Sequence, residues 1–160
     1  MLYRCLPAAR EVVTLRRPAK GKRRRSRPFT VDIHCHLLTP AADELVKPYF
    51  KPESEPLFRF SNEATREVNR LQSLATHDKI TSVETRLKVM DKAGIDVQAI
   101  SPAPFQYYYW AEPELGRASA RLVNDNIAQI VARHPERFVG LATVPLQAPS
   151  LAIAELERAV

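Results

Sequence analysis

Three short strand-like segments that alternate with helical segments most constrain how this 160-residue chain can fold. Each is an apolar or alternating run bounded by Pro, Gly or polar residues, as strands usually are. The predicted strands are 29–36, 95–100 and 138–144, and the predicted helices are 62–74, 82–93, 114–134 and one that begins at Pro149. Strands that alternate with helices predict parallel pairing through right-handed crossovers. We therefore expect an α/β fold.

Helix 82–93 carries the clearest local signals. Thr81 and Glu84 have the spacing of a capping box, in which side chain and backbone satisfy each other's free donors. Gly94 is predicted to end this helix. Its apolar face would be formed by Val83, Leu87 and Met90, and one side of helix 62–74 would carry Ala64, Val68, Leu71 and Leu74. Four prolines predict that residues 37–61 form an irregular loop.

The positive charge of the chain is concentrated in its first thirty residues. They contain ten lysines and arginines against one acid, Glu11, whereas the remainder carries 14 basic and 17 acidic residues. We predict that residues 1–28 are a basic, disordered extension, or a product of a start codon upstream of the true one. The composition also fits an organelle transit peptide or a nuclear or nucleic-acid patch. No aromatic interleaving supports nucleic-acid stacking, so we expect no nucleic-acid partner.

Residues 29–160 are predicted to form the folded part of the chain. Two cysteines, Cys5 and Cys35, are too few for a disulfide framework, so we expect a reducing, cytoplasmic location. No apolar run approaches the roughly 20 residues of a membrane span, so we expect no membrane partner.

His34 and His36 lie two residues apart on the first predicted strand, where alternate side chains share one face. Their Cα atoms would lie about 6.6 Å apart, and both imidazoles could bind one metal ion at about 2.1 Å. Asp32 would lie one pleat earlier on the same face and could orient a ligand or bind the metal. Such folds place their active sites at the ends of parallel strands. The pair therefore predicts half of a divalent metal site, against the alternative of two half-exposed histidines on an edge strand.

The remaining candidates carry weaker signals. His77 falls in a polar loop and His134 in the last turn of a helix, where a cation suits the helix dipole, so neither is predicted to be catalytic. Cys35 points away from the histidines and is predicted to be a small core residue. The aromatic segment 101–113 has two interpretations: it forms a substrate-pocket wall or a subunit contact, or it packs on the core of its own chain.

The strand Val-Asp-Ile-His-Cys-His (31–36) resembles the D-x-H-x-H strand of the amidohydrolase superfamily. Further segments resemble the branch of this superfamily that contains aminocarboxymuconate-semialdehyde decarboxylase, in the same order and with similar spacing. These segments are 85–102, 109–114, 124–125, 134–141 and 144–149. The resemblance covers about residues 29–160.

The resemblance implies a (β/α)8 TIM-type barrel about twice as long as this chain, which would hold only the first three βα units. His34 and His36 would bind one divalent metal, most often Zn²⁺. The other ligands, a His and an Asp, and the histidine that activates the metal-bound water would come from later strands, beyond Val160. An arginine from an early loop would hold a substrate carboxylate. Arg59 is the candidate, with Arg66 and Arg70 as alternatives.

The reaction implied by the resemblance is non-oxidative decarboxylation of an unsaturated or aromatic carboxylic acid. The metal would polarise this small-molecule substrate and lower the pKa of a bound water to about 7. The alternatives are metal-dependent hydrolysis of a lactone or amide, and a non-catalytic fragment, because three βα units cannot close an eight-stranded barrel. We expect a homodimer for the full-length protein. We expect the 160-residue chain to be an interrupted sequence that is inactive and poorly soluble or oligomeric by itself.

Overall fold

The computed structural model describes residues 27–160, so the basic extension predicted over residues 1–28 lies almost wholly outside the described residues. Strands and helices alternate along this part of the chain. The elements are β1 (Val31–Leu37), α1 (Pro40–Val46), α2 (Pro56–Arg59), α3 (Glu63–Thr81), α4 (Val83–Ala93), β2 (Val97–Pro102), α5 (Pro113–Arg133), β3 (Phe138–Gly140) and α6 (Pro149–Ala159). Short 3₁₀ turns lie at Lys47–Tyr49, Pro52–Ser54 and Pro104–Gln106. Within residues 27–160, no helix has the length and apolar character needed to cross a membrane.

The three strands form one parallel sheet in the order β1-β2-β3, which confirms the predicted α/β fold with parallel pairing. β3 is shorter than the predicted strand 138–144. The reason lies in the side chain of Asn124, which accepts a hydrogen bond from Thr143 N at 2.8 Å and donates one to Thr143 O at 2.8 Å. The side chain of Asn124 thus satisfies the backbone N–H and C=O of Thr143, which a neighbouring strand would otherwise bond.

The core is formed by side chains of the three strands and of the helices that pack on them. Each strand contributes a fully buried side chain, and α4 and α5 contribute others. These side chains are Leu37, Ile100, Phe138, Met90 and Ile127, each at most 1% exposed. Burial of a side chain of this size stabilises a fold by about 1.5–3 kcal/mol. Val83 and Leu87 pack against the same cluster, so the predicted apolar face of α4 is confirmed.

The prediction of an irregular loop over 37–61 is wrong, because this stretch contains α1 and α2. Pro40 and Pro56 occupy the first position of these helices, where a proline loses no hydrogen bond and its fixed φ already suits the helix. The prolines therefore begin helices here. Ala42 and Val46 anchor α1, since both are buried in the core.

The capping box predicted at Thr81 is wrong by one residue. Thr81 ends α3, and its hydroxyl donates to His77 O at 2.8 Å. The cap of α4 is Ser82, whose hydroxyl accepts from Thr85 N at 3.2 Å. Gly94 ends α4 with a φ of +72°, as predicted, in the left-handed region that glycine adopts most easily.

Helix α3 is longer than the predicted helix 62–74 and has no buried residue. Its predicted apolar side is exposed to solvent at Val68, Leu71 and Leu74. The 3.6-residue spacing of these side chains is real, but no described element covers them. His77, predicted to lie in a loop, belongs to this helix and is exposed.

Candidate metal centre

The two predicted metal-binding histidines lie in the last half of β1 with their rings together. His34 Nε2 and His36 Nε2 are 3.2 Å apart, and the rings meet edge to face with centroids 5.0 Å apart. Two nitrogens that share a tetrahedral metal at about 2.1 Å would lie about 3.4 Å apart. The observed separation therefore fits two ligands of one metal ion, and the residues predicted from the sequence are brought together as expected.

The other ring nitrogen of His36 is held by the end of β2. His36 Nδ1 lies 3.1 Å from Pro102 O and 3.1 Å from Ser101 Oγ, while the Ser101 hydroxyl donates to Cys35 O at 3.2 Å. Since the carbonyl can only accept, the proton of a neutral His36 belongs on Nδ1, and Nε2 presents a lone pair. A histidine that donates its second N–H to a backbone carbonyl is the usual arrangement of a metal ligand.

A β-bulge lies between Asp32 and Cys35. Asp32 is opposite Gln98 and Cys35 is opposite Ile100, so three steps along β1 match two along β2. The extra residue interrupts the strict alternation of side chains expected along a strand. Ile33 is accordingly 78% exposed, whereas Cys35 is buried in the core, as predicted.

Asp32 does not join the histidines as the sequence suggested. The bulge brings it beside Gln98, where Asp32 Oδ2 accepts a hydrogen bond from Gln98 Nε2 at 2.9 Å. Its other oxygen accepts from His34 N at 3.1 Å, a short-range contact of the kind that Asp side chains make in turns. Both oxygens of Asp32 are therefore engaged, one by the backbone N–H of His34 and the other by Gln98, and not by the imidazoles.

Behind Gln98 lies the guanidinium of Arg86, from α4. Arg86 Nη1 donates to Gln98 Oε1 at 3.1 Å, and Nη2 donates to the backbone carbonyl of His36. Arg86 is 6% exposed, and this burial lowers the pKa of its guanidinium. A buried guanidinium is thus hydrogen-bonded to the backbone of one of the two histidines.

A third protein ligand is not present beside the pair. Within residues 27–160, no cluster of three or more His, Cys, Asp or Glu side chains is arranged to hold a metal ion. Catalytic zinc sites normally use three protein ligands. Residues 27–160 therefore bring together two candidate ligands, His34 and His36.

Comparison with known proteins identifies the family. Residues 31–160 match the Amidohydrolase family along most of the chain. The chain belongs to the amidohydrolase family. The matched region begins with β1 and includes both histidines of the candidate metal centre.

Two curated relatives of this amidohydrolase chain are decarboxylases. It is 35% identical over 77 residues to 2-amino-3-carboxymuconate-6-semialdehyde decarboxylase of Dictyostelium discoideum, covering 48% of this chain and 21% of the relative. It is 40% identical over 87 residues to gamma-resorcylate decarboxylase of Rhizobium radiobacter, covering 52% of this chain and 26% of the relative. These matches therefore span about a quarter or less of the relatives' length.

The fold of the amidohydrolase chain is also found in a solved decarboxylase. The structure of dihydroxybenzoic acid decarboxylase from Polaromonas sp. JS666, with bound manganese and the inhibitor 2-nitroresorcinol, matches with a TM-score of 0.57. The match has 24% sequence identity and covers 81% of this chain and 34% of the decarboxylase. At this identity, the likeness establishes the shared fold.

The three arginines considered for carboxylate binding lie in α2 and α3, and each contacts a neighbouring side chain. The Arg59 guanidinium lies 5.3 Å from the centroid of the Phe60 ring. Arg66 stacks on Phe58 at 4.3 Å and donates to its carbonyl at 3.1 Å. Arg70 forms a two-pronged ion pair with Glu67, at 2.7 and 2.8 Å. The choice of Arg59 over the other two stays a prediction.

The aromatic segment after β2 divides between core and surface. Tyr108 is buried and its hydroxyl donates to Asp43, and Trp110 packs edge-on against Phe50 with ring centroids 6.0 Å apart. Tyr107 and Tyr109 stack on each other at 5.5 Å, and Tyr109 is exposed. Packing on the core is confirmed for Tyr108 and Trp110, whereas a pocket wall or subunit contact formed by Tyr109 stays a prediction.

Three residues around the pair were not predicted from the sequence: Arg86, Gln98 and Ser101. A signal existed for Arg86, which lies three residues after Val83 and so shares the apolar face of α4. Ser101 could have been found from parallel register, since it pairs with His36. His134 caps the C-terminal end of α5, where its backbone N–H donates to Ile130 O. The prediction that it is not catalytic stays a prediction.

Proposed function

We propose that this chain is the N-terminal, metal-binding part of a metal-dependent, non-oxidative decarboxylase of aromatic or unsaturated carboxylic acids. The observation that carries the proposal is the pair of Nε2 atoms 3.2 Å apart, one of them held in the metal-binding tautomer by the end of β2. The decarboxylase names of the two relatives support the choice of reaction.

In the proposed architecture, residues 29–160 form the first three βα units of a (β/α)8 barrel. The three parallel strands, in the order of the chain and with helices between them, support this arrangement. The candidate metal centre would then lie at the carboxyl ends of the strands, where such barrels hold their active sites. The remaining ligands and the general base are proposed to come from a longer form of the protein.

His34 and His36 would hold a divalent metal through their Nε2 atoms. When bound, the metal supplies Lewis-acid polarisation of a substrate oxygen. Overall, the bond between the substrate carbon and its carboxylate breaks, CO₂ leaves, and a proton takes its place on that carbon. The contribution of this chain is to present two fixed imidazoles, with His36 oriented by Pro102 O and Ser101 Oγ. Zn²⁺ is our expectation for the metal, because imidazole ligands suit it. Mn²⁺ is the alternative, since the Polaromonas decarboxylase holds manganese.

A non-catalytic role is the second candidate. It is favoured by the absence of a third ligand within residues 27–160 and by the exposed Ile33 on a strand at the sheet edge. A small-molecule carboxylic acid as substrate, a homodimer in the full-length protein, and a cytoplasmic location without nucleic-acid or membrane partners complete the proposal.

Incubation with gamma-resorcylate in the presence of Mn²⁺ or Zn²⁺, with CO₂ release as the readout, tests the proposed reaction. In a longer form of the protein that carries the remaining ligands, we expect metal-dependent CO₂ release that is lost in His34→Ala and retained in His77→Ala, since His77 is exposed on α3. The 160-residue chain by itself is expected to release no CO₂. Metal binding by the longer form without CO₂ release would select the non-catalytic role. The absence of both metal binding and CO₂ release would refute the proposal.

A further inference from the structure

A continuous row of polar side chains connects the backbones of the two histidines from behind. His34 N donates to Asp32 Oδ1, and Asp32 Oδ2 accepts from Gln98 Nε2. Gln98 Oε1 accepts from Arg86 Nη1, and Arg86 Nη2 donates to His36 O. We call Asp32, Gln98 and Arg86 the polar bridge. It starts at the N–H of one metal-binding residue and ends at the carbonyl of the other.

The polar bridge is costly to bury, which calls for an explanation beyond packing. Arg86 is 6% and Gln98 8% exposed, and Arg86 Nε has no hydrogen-bond partner in the part of the chain that the structure describes. A buried cation with an unsatisfied N–H opposes folding, and apolar residues of similar size often serve stability as well or better. Arg86 also lies among apolar neighbours on α4, such as Met90.

The polar bridge lies beside the irregular segment of β1 that carries His34. Within residues 27–160, β1 is paired on one side only, with β2. The bulge between Asp32 and Cys35 removes ladder hydrogen bonds in the segment that carries His34. The polar bridge supplies a side-chain hydrogen bond to the backbone N–H of His34 within this segment and another to the carbonyl of His36 just after it.

We propose that Arg86 and Gln98 are positioning residues that hold the bulged strand so that the two imidazoles stay within reach of one metal ion. This inference rests on the metal-binding role proposed above. The fork of a guanidinium can bond Gln98 and His36 together, which a lysine ammonium cannot do in the same geometry. Metal sites need their ligands fixed to within about 0.5 Å, and loss of an outer partner typically weakens metal binding about 10–100-fold.

The test compares three variants of the full 160-residue chain with the wild type. Gln98→Met keeps the length of the side chain and removes both of its hydrogen bonds. Arg86→Lys keeps the charge and removes the fork. Lys88→Met is the matched control, because Lys88 is exposed on α4 and pairs only with Glu84 there. Thermal melts first establish that each variant unfolds cooperatively.

Two measurements follow on the folded variants. In the metal-free protein, NMR order parameters of the His34 and His36 backbone N–H groups are expected near the rigid value of about 0.85 in wild type and Lys88→Met, and toward about 0.6 in Gln98→Met and Arg86→Lys. The N–H of Ala99, in β2, is expected to stay rigid in all four. Zn²⁺ titration by calorimetry is expected to show about 10–100-fold weaker binding in the two bridge variants and no change in the control.

Each outcome decides the inference. Wild-type order parameters together with a Zn²⁺ affinity within twofold of wild type in Gln98→Met would overturn the inference. Wild-type values of both quantities in Arg86→Lys would also overturn it, because the charge of residue 86 would then be sufficient. If Gln98→Met does not fold, Arg86→Lys carries the test by the same criteria. If the wild-type chain binds no Zn²⁺, the proposed function fails, while the order parameters of the metal-free protein still decide whether the polar bridge fixes the strand.

Discussion

Replacement of Gly140 by alanine should destabilise the fold, because side chains of α5 pack closely against this glycine at the end of β3. A Cβ built on Gly140 would lie 2.7 Å from Ile127 Cγ2 and 3.3 Å from Val131 Cγ2, whereas ordinary contacts begin near 3.4 Å. Ile127 is fully buried, so it has little room to move away. Overpacking of this kind costs about 1–3 kcal/mol. For a domain of this size, we expect a fall in Tm of about 4–10 °C.

A second substitution tests whether the clash is the cause. Ile127→Leu removes the β-branch that carries Cγ2 and, as a volume-conserving change, should cost less than about 1.5 kcal/mol. The double variant Gly140→Ala/Ile127→Leu should therefore be more stable than the sum of the two single changes predicts. Urea or thermal unfolding of the four proteins gives the coupling energy. A Tm for Gly140→Ala within 1 °C of wild type, on the order of experimental error, or strictly additive effects, would refute the reasoning.

Three further outcomes are expected. Burial raises the pKa of Cys35 from 9.0 to about 11, so between these pH values the folded state keeps a thiol proton that the unfolded state loses. The contribution of Cys35 to the free energy of unfolding should be complete below pH 9 and fall by up to about 2.7 kcal/mol between pH 9 and 11. A Cys35→Ala variant whose free energy of unfolding falls equally over this pH range would contradict this. In a Cys5→Ser background, Cys35 should react with a thiol reagent at pH 8 about 100-fold more slowly than an exposed cysteine, and equal rates would argue against its burial. Tyr108→Phe removes a hydrogen bond to the Asp43 carboxylate and should cost about 1.5–3 kcal/mol in urea unfolding, whereas a cost near zero would show that this bond adds no stability.

The features that could be predicted from the sequence are those set by local spacing. The strands, α4 and the pairing of the two histidines follow from periods of two and 3.6 residues, which neighbouring residues alone determine. The parallel sheet follows from the alternation of those elements. Gly94 was predictable as a helix end because its left-handed φ is a local requirement.

The features that were missed depend on contacts across the fold. The bulge between Asp32 and Cys35 accompanies hydrogen bonds that Asp32 accepts from His34 N and from the side chain of Gln98 on β2, and alternation within β1 alone cannot reveal such contacts. Two hydroxyl residues, Thr81 and Ser82, offered adjacent helix caps, and the length of α3 decided between them. The exposed side of α3 has the periodicity of a buried face, so periodicity did not predict burial there.

The metal content of the purified chain tests the central claim most directly. After removal of bound metal and dialysis against Zn²⁺ or Mn²⁺, elemental analysis should find about one divalent ion per wild-type chain and per His77→Ala chain, because two converging Nε2 atoms with one fixed tautomer form a chelating pair. His34→Ala and His36→Ala should each retain almost none. Unchanged metal content in His34→Ala, or no metal in the wild type, would contradict the assignment of His34 and His36 as metal ligands.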